Sequence, residues 1–254
     1  MPYLKLSLIR HAQSVGNLQR RMEGQTSTAL TPLGHQQAKS LSQSLITHHA
    51  SSGVSLTQDS SKHPEAAKLD ATKLDADKSL SLYSSPLLRA TQTADILLQT
   101  LQASCGQVPY LQMPHLQLAA EAQEMHQGIL QGLTWSEAVA RYPDLCHQLT
   151  QSLVLYPIPQ AESPAMASAR AQRWLGHLLR AHSSGGTVWI ISHAGIMQYL
   201  IAHILGCDRT WKIPIRNTAI FEFWLADSFL PTAENRHNPE CWLIKRFNDD
   251  SHLE

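Results

Sequence analysis

Four residues of this sequence could handle an anion together: Arg10, His11, Arg89 and His193. Guanidinium forks bind phosphate well, and the same cations would repel a divalent metal. Histidine can also attack phosphorus, so His11 beside Arg10 reads as a group that accepts a phosphoryl unit. A lone histidine among 14 would more often be an ordinary packed or solvated side chain. The reading therefore depends on whether the chain brings these residues to one place.

The elements that would do so can be read from periodicity. Residues 4–9 form a short apolar run that stops at Arg10-His11, as a buried first strand would. A loop is expected next. Thr31-Pro32 combines an N-cap with proline at the first helical position, and Leu33, Ala38, Leu41 and Leu45 recur at helical spacing, predicting a helix over about 32–48. Residues 79–83 predict a second strand. Ser85-Pro86 then repeats the cap signal before a helix carrying Ala90, Ala94, Leu97, Leu98 and Leu101 on one face, which puts Arg89 in its first turn. Further on, strands are expected near 116–118, 187–192, 219–225 and 241–247, and helices over 134–142, 163–182 and 195–205. Strands alternating with helices imply an α/β fold, a three-layer α/β/α sandwich around a mostly parallel central sheet. Arg10-His11, Arg89 and His193 each follow a strand and so belong at the carboxyl edge of that sheet, where open α/β folds bind ligands.

Composition narrows the partners. The 20 Lys+Arg balance 20 Asp+Glu, and 43 % of residues are hydrophobic. Nucleic-acid binders usually carry a cationic excess, and disordered chains combine low hydrophobicity with high net charge, so neither class fits. One domain spanning 1–254 is expected. Cys105, Cys146, Cys207 and Cys241 show no disulfide-framework or zinc-ligand spacing, which suggests a cytoplasmic protein without a metal site. The apolar stretch 187–205 is interrupted by Ser192, His193, Gln198 and His203, which makes a membrane span costly. Residues 50–79 are rich in Ser, Lys, Asp and Ala without aromatics and read as a surface insertion. His48-His49 is expected as a solvated pair at a helix end. Trp135, Trp174, Trp189, Trp211, Trp224 and Trp242 lack basic interleaving and are expected in the core.

The residues around the arginines and histidines also carry a resemblance. Leu8-Ile9-Arg10-His11-Ala12-Gln13-Ser14-Val15-Gly16-Asn17 is similar to the R-H-G-x-[ST]-x-x-N signature of the histidine phosphatase superfamily, the phosphoglycerate-mutase-like proteins. Gly24, then Leu30-Thr31-Pro32-Leu33-Gly34 with Gln37-Ala38, resembles the family's next block. Tyr83-Ser84-Ser85-Pro86-Leu87-Leu88-Arg89-Ala90-Thr91-Gln92-Thr93-Ala94 closely resembles its YSSPLxRAxQTA segment. Glu124 with Gly128 and Gly132-Leu133, Ala161-Glu162-Ser163, Ser192-His193-Ala194-Gly195 and Asn217-Thr218-Ala219 continue the match in order, from residue 4 to about 223.

What the resemblance implies is a phosphomonoester hydrolase working through a phosphohistidine on a small phosphorylated metabolite, without metal or cofactor. His11 would be the nucleophile. Arg10, Arg89, His193 and Asn17 would stabilise the transferring oxygens, with Ser14, Gly24 and Ala194 also around the substrate. Glu124 would protonate the leaving alcohol. Glu121 is its rival, but only Glu124 has glycine four and eight positions later. Ala12 and Ala194 stand where the family has glycine, as does Gln160-Ala161, and an added Cβ is harmless only where φ is negative. Members that act as phosphoglycerate mutases hold a carboxylate with extra cations after the acid, whereas residues 128–159 here contain only Arg141. Leu133, Trp135, Leu153, Leu155, Tyr156 and Ile158 offer an apolar lid instead. Hydrolysis is thus expected ahead of a mutase, and ahead of a non-catalytic module that merely binds phosphorylated ligands. The strand over 219–225 is a candidate for pairing across a homodimer.

Overall fold

The computed structural model describes residues 3–52, 80–104, 113–152, 155–182, 184–226 and 237–254. Among them six strands form one sheet: β1 (Leu4–Arg10), β2 (Leu80–Ser84), β3 (Leu116–Leu118), β4 (Thr187–Ser192), β5 (Ile220–Leu225) and β6 (Trp242–Asp249). Their order is β3-β2-β4-β1-β5-β6. The first four in that order run parallel, whereas β5 pairs antiparallel with both β1 and β6. The helices are α1 (Val15–Leu18), α2 (Pro32–Ser52), α3 (Leu88–Ser104), α4 (Trp135–Arg141), α5 (Pro143–Gln151), α6 (Pro164–Ala181) and α7 (Ala194–Ile204).

Alternation along the central strands supplies both cores. Leu6 and Leu8 of β1, Val188 and Ile190 of β4, and Phe221 and Phe223 of β5 meet Trp174, Leu175 and Leu178 of α6 and Met197, Leu200 and Ile201 of α7. Ile9, Trp189, Ile191 and Ile220 point the other way, onto Leu41 and Leu45 of α2 and Ala94, Leu97 and Leu101 of α3. Each such side chain, taken fully out of water, contributes about 1.5–3 kcal/mol, so both faces hold their helices firmly. The result is the expected three-layer α/β/α sandwich.

Several expectations need correction. The loop after β1 contains α1, a single turn closed by a reciprocal Ser14–Asn17 capping box and too short to show a period. A second helix, α5, follows α4 directly because Pro143 starts it at its first position. Helix α2 runs past His48 to Ser52, and His48 and His49 are half-buried against the sheet rather than solvated, with His49 edge-on to Trp189. Residues 53–79 of the expected insertion lie outside the described residues. Trp135 and Trp211 are 44 % and 47 % exposed, so they are not core. The apolar set expected as a lid divides: Leu133 and Ile158 pack with Leu130, Ala138 and Cys146 in a small separate core, Leu155 and Tyr156 are exposed, and Leu153 lies outside the described residues. Strand β5 is paired on both sides and has no free edge for a partner; the sheet ends at β3 and β6. No helix among the described residues is long and apolar enough to cross a membrane.

Candidate active site

Strands β1, β2 and β4 end at one edge of the sheet, so His11, Ser85 and His193 emerge side by side. Strand β5 runs the opposite way and begins there, after Asn217-Thr218. Backbone bonds tie the edge together: His11 N donates to Ser192 O at 2.9 Å, and Thr218 N donates to Arg10 O at 3.1 Å. Asn217 Nδ2 donates to His11 O at 3.0 Å. Helix α3 delivers Arg89 from its first turn, and Thr93, one turn on, links Arg89 O to Ala12 N through its hydroxyl.

His11 is 2 % exposed. Its Nδ1 lies 2.7 Å from Ala12 O, and its Nε2 accepts from Arg89 Nε at 3.2 Å. These partners assign the proton to Nδ1 and leave a lone pair on Nε2. Burial, reinforced by Arg10 and Arg89, holds the His11 pKa well below the ordinary 6.5 and keeps the ring neutral. The His193 ring is 4.9 Å away, centroid to centroid, and its pKa is likewise pushed well down, first by burial and then by His11, Arg89 and Arg10. Its Nε2 lies 2.7 Å from Ser85 Oγ. Ser85 Oγ accepts from Leu87 N at 3.3 Å, and among the described residues His193 Nε2 is the acceptor available to its own proton; donation there assigns the His193 proton to Nδ1. That Nδ1 and Arg10 Nε are both buried without a hydrogen-bond partner among the described residues. Arg10 is anchored by Nη1 to Ile215 O at 2.6 Å, and Arg89 by Nη1 and Nη2 to Thr26 O and Gly24 O at 2.7 and 2.8 Å. Anchored cations with unpaired donors suit an anion, because unsatisfied buried donors are costly unless something binds them.

Glu124 reaches the same edge. Its Oε2 accepts from Gly195 N at 3.0 Å and its Oε1 from Ile196 N at 3.1 Å, so the carboxylate sits on the N-terminus of α7. A Cβ on Gly195 would collide with it, so glycine there is what allows the approach. Glu121 is exposed at the sheet margin, with only its carbonyl engaged, by Arg170.

One buried acid escaped the sequence reading. Glu23 is 7 % exposed and lies 3.7 Å from Arg89 Nε. It accepts from Ser14 Oγ at 2.8 Å, from Asn17 Nδ2 at 2.7 Å and from the Thr28 hydroxyl. Ser14 and Asn17, expected around the substrate, thus surround Glu23, and Asn17 Oδ1 also accepts from Asn217. A carboxylate directly before Gly24, after the cationic Arg20-Arg21, was the available signal. With two arginines and two glutamates, the formal charges at the edge cancel while both histidines are neutral. Gly24 takes part through its carbonyl, and Ala194 is the first residue of α7. Ala12 and Ala194 stay out of the left-handed region, so their methyls bring no backbone strain; Gln160, at φ 63°, is in it.

Comparison with known proteins agrees with this geometry. The family model described as histidine phosphatase superfamily (branch 1) matches residues 6–55 and 49–229. A metal-independent phosphoserine phosphatase of Arabidopsis thaliana is 23 % identical over 250 residues, covering 98 % of this chain and 83 % of that protein. A probable phosphoglycerate mutase GpmB of Escherichia fergusonii is 25 % identical over 254 residues, covering 99 % of this chain and 95 % of its own length. Among solved structures, a putative alpha-ribazole-5'-P phosphatase from Escherichia coli superposes with a TM-score of 0.67 at 16 % identity, with 97 % of each chain covered, which establishes likeness of fold. A match over most of the chain, on top of the His11 and His193 edge, leaves one assignment: the chain belongs to the histidine phosphatase superfamily.

Proposed function

We propose that the protein hydrolyses phosphomonoesters of small metabolites in two in-line steps. In the first, His11 Nε2 attacks phosphorus, an N–P bond forms and the ester P–O bond breaks. In the second, water attacks the phosphohistidine and releases inorganic phosphate, returning the electron pair to Nε2. The observation that carries this reading is a neutral His11 whose Nε2 lone pair, oriented by Arg89 Nε, lies at the same edge as two buried groups without a partner among the described residues, Arg10 Nε and His193 Nδ1. Those donors would hold the equatorial oxygens as charge builds on them.

Glu124 would give its proton to the departing alkoxide and later take one from the attacking water. Ser14 and Asn17 would act through Glu23, which together with Gly24 steadies Arg89, rather than by touching phosphate. Hydrolysis is favoured over phosphoryl transfer between hydroxyls because residues 128–159 contain only Arg141 as a cation for a substrate carboxylate. Among the described residues Cys146, Cys207 and Cys241 form no disulfide bond, which favours a cytoplasmic setting.

The test is leaving-group dependence. Glu124→Gln keeps the hydrogen-bonding shape but has no proton to give, so it should slow release of an alkyl alcohol by ~10²–10⁴-fold and of p-nitrophenolate far less. Glu121→Gln should show no such split. Equal slowing of both esters would remove Glu124 as the acid, and isomerisation of 3-phosphoglycerate outrunning phosphate release would overturn the hydrolase reading.

A further inference from the structure

A groove of roughly 920 Å³ opens beside the catalytic edge, between β3 with the turn after it and α6. Two segments lead into it from His11. Arg89 Nη2 binds Gly24 O, and the next residue, Gln25, lines the groove while its Nε2 donates to Glu124 O at 3.0 Å. Gln123, immediately before the proposed acid, lines it as well. Glu124 itself is not part of the lining, so a leaving group protonated there would extend into this space past Gln25 and Gln123.

The lining is polar, and its most buried charges are paired with each other. Arg170 is paired with Glu162 through Nε and Nη2 at 2.8 and 2.6 Å, and its Nη1 donates to the carbonyls of Glu121 and Gln123. Arg173, His177 and Glu121 also line it, exposed and outside any ion pair among the described residues. His126 Nδ1 faces the backbone at Gly128 and Gln160. By contrast, the side-chain amides of Gln117, Gln123 and Gln160 have no hydrogen-bond partner among the described residues. Met166 of α6, 61 % exposed, adds an apolar pad to the groove.

This pattern discriminates between kinds of leaving group. An amide offers a donor and an acceptor side by side, which matches a hydroxyl, and the apolar pad matches the C–H face of a ring. A carboxylate needs an uncommitted cation at short range, and the unpaired cationic or basic side chains lining this groove, Arg173 and His177, are exposed while the more buried Arg170 is taken by Glu162. Size points the same way: pockets of ~300–1,000 Å³ suit ligands well above a three-carbon acid. We infer that the preferred substrate is a phosphorylated sugar or similar polyhydroxylated ring compound, with its uncharged leaving group in this groove. The chemistry rests on the phosphomonoesterase reading, while the selectivity rests on the groove alone.

Binding and turnover separate the two. Calorimetry on the His11→Ala protein, or on His11→Asn if the alanine variant does not fold, is run with glucose 6-phosphate, ribose 5-phosphate, 3-phosphoglycerate, phosphoserine and inorganic phosphate. The sugar phosphates should bind at least ~10-fold more tightly than the two acids and than inorganic phosphate. Met166→Trp, made in the same background, fills the groove from an exposed helical position and should abolish that advantage while leaving inorganic phosphate affinity unchanged. Acids that bind as tightly as sugar phosphates, or an advantage that survives Met166→Trp, would overturn the inference. Hydrolysis of p-nitrophenyl phosphate by the native protein is read separately. Selective binding without turnover would sink the hydrolase and keep the groove, and turnover without selectivity would do the reverse.

Discussion

His11 and His193 stand at the carboxyl ends of β1 and β4, while His48 and His49 lie against the amino ends of the same strands, beside Lys5 and Thr187. Both places combine paired histidines, cations and a buried carboxylate. Burial lowers the pKa of His48 and His49 as it does those of the catalytic-edge pair, although less far. At the amino end, however, the polar groups answer one another. Glu222 accepts from Trp224 Nε1 at 2.6 Å and lies 3.3 Å from Arg246 Nε, and Lys5 Nζ sits 4.9 Å from the Trp224 ring centroid. The space left there is about 20 Å³, room for one water. The carboxyl end leaves Arg10 Nε and His193 Nδ1 without a partner among the described residues and adjoins a wide groove. A perturbed imidazole is thus shared by both ends, and what sets the proposed site apart is buried groups without partners and room beside them.

The largest expected effect breaks the symmetry between the two pairs outright. His11→Ala should lower turnover by at least ~10⁴-fold, since binding and charge do not replace a nucleophile. His49→Ala should change it by less than about twofold, because only packing near Trp189 is altered. Trapping acid-labile, base-stable phosphate on His11 would show the intermediate directly. Comparable losses in the two variants would mean the ends had been wrongly distinguished.

Arg89→Lys comes next. A lysine offers a point charge in place of a planar fork whose Nε meets His11 and whose Nη atoms hold Thr26 and Gly24. A loss of at least ~1.4 kcal/mol in transition-state stabilisation, about tenfold in kcat/KM, is expected. The equivalent exchange at the other end, Arg246→Lys, should leave kcat/KM unaltered and register only as a small loss of stability. An unchanged rate for Arg89→Lys would remove it from the phosphate's surroundings.

How far the sequence revealed this difference depends on the kind of feature. The strands and the two cores were legible because apolar alternation and helical spacing are local signals, and His11, Arg89 and His193 inherit their positions from strand ends. The partners of those residues were not. Glu23 is recruited by Ser14, Asn17 and Thr28 through a loop with no period, and the amino-end cluster joins Lys5, His49 and Glu222 from three distant segments. Backbone conformation was partly hidden as well: Gln160, at φ 63°, lies in the pair that stands where the family has glycine, but the β-branched Thr218, fully buried beside His11, holds φ of 62° with no such signal. Such residues cost roughly 1–2 kcal/mol each, and at Thr218 nothing in the residue type announces the strain.

Gly195→Ala sharpens the comparison from within the catalytic edge. Its Cβ would displace the Glu124 carboxylate while leaving His11 and both arginines in place. Several-fold slower hydrolysis of alkyl phosphates is expected, within the ~10²–10⁴-fold worth of a general acid, with p-nitrophenyl phosphate less affected. Equal rates on both esters would separate the α7 N-terminus from acid function.

The smallest effect is on stability against pH, and it is common to both ends. His11, His193, His48 and His49 all have folded pKa values below the unfolded 6.5, so the folded state binds fewer protons than the unfolded state in the window between. Their contribution to stability is therefore complete above that pH and declines as pH falls through 6.5 towards each folded value, at up to ~1.4 kcal/mol per pH unit for each group within its window. Removing one by His49→Gln should flatten the acid slope of the unfolding free energy without moving the pH–activity profile, whereas that profile should follow His11. Since only neutral His11 can attack phosphorus, the acid limb of kcat/KM should fall well below pH 6.5. An acid limb centred at 6.5 or above, or one shifted by His49→Gln, would show that the buried state of His11 does not govern catalysis.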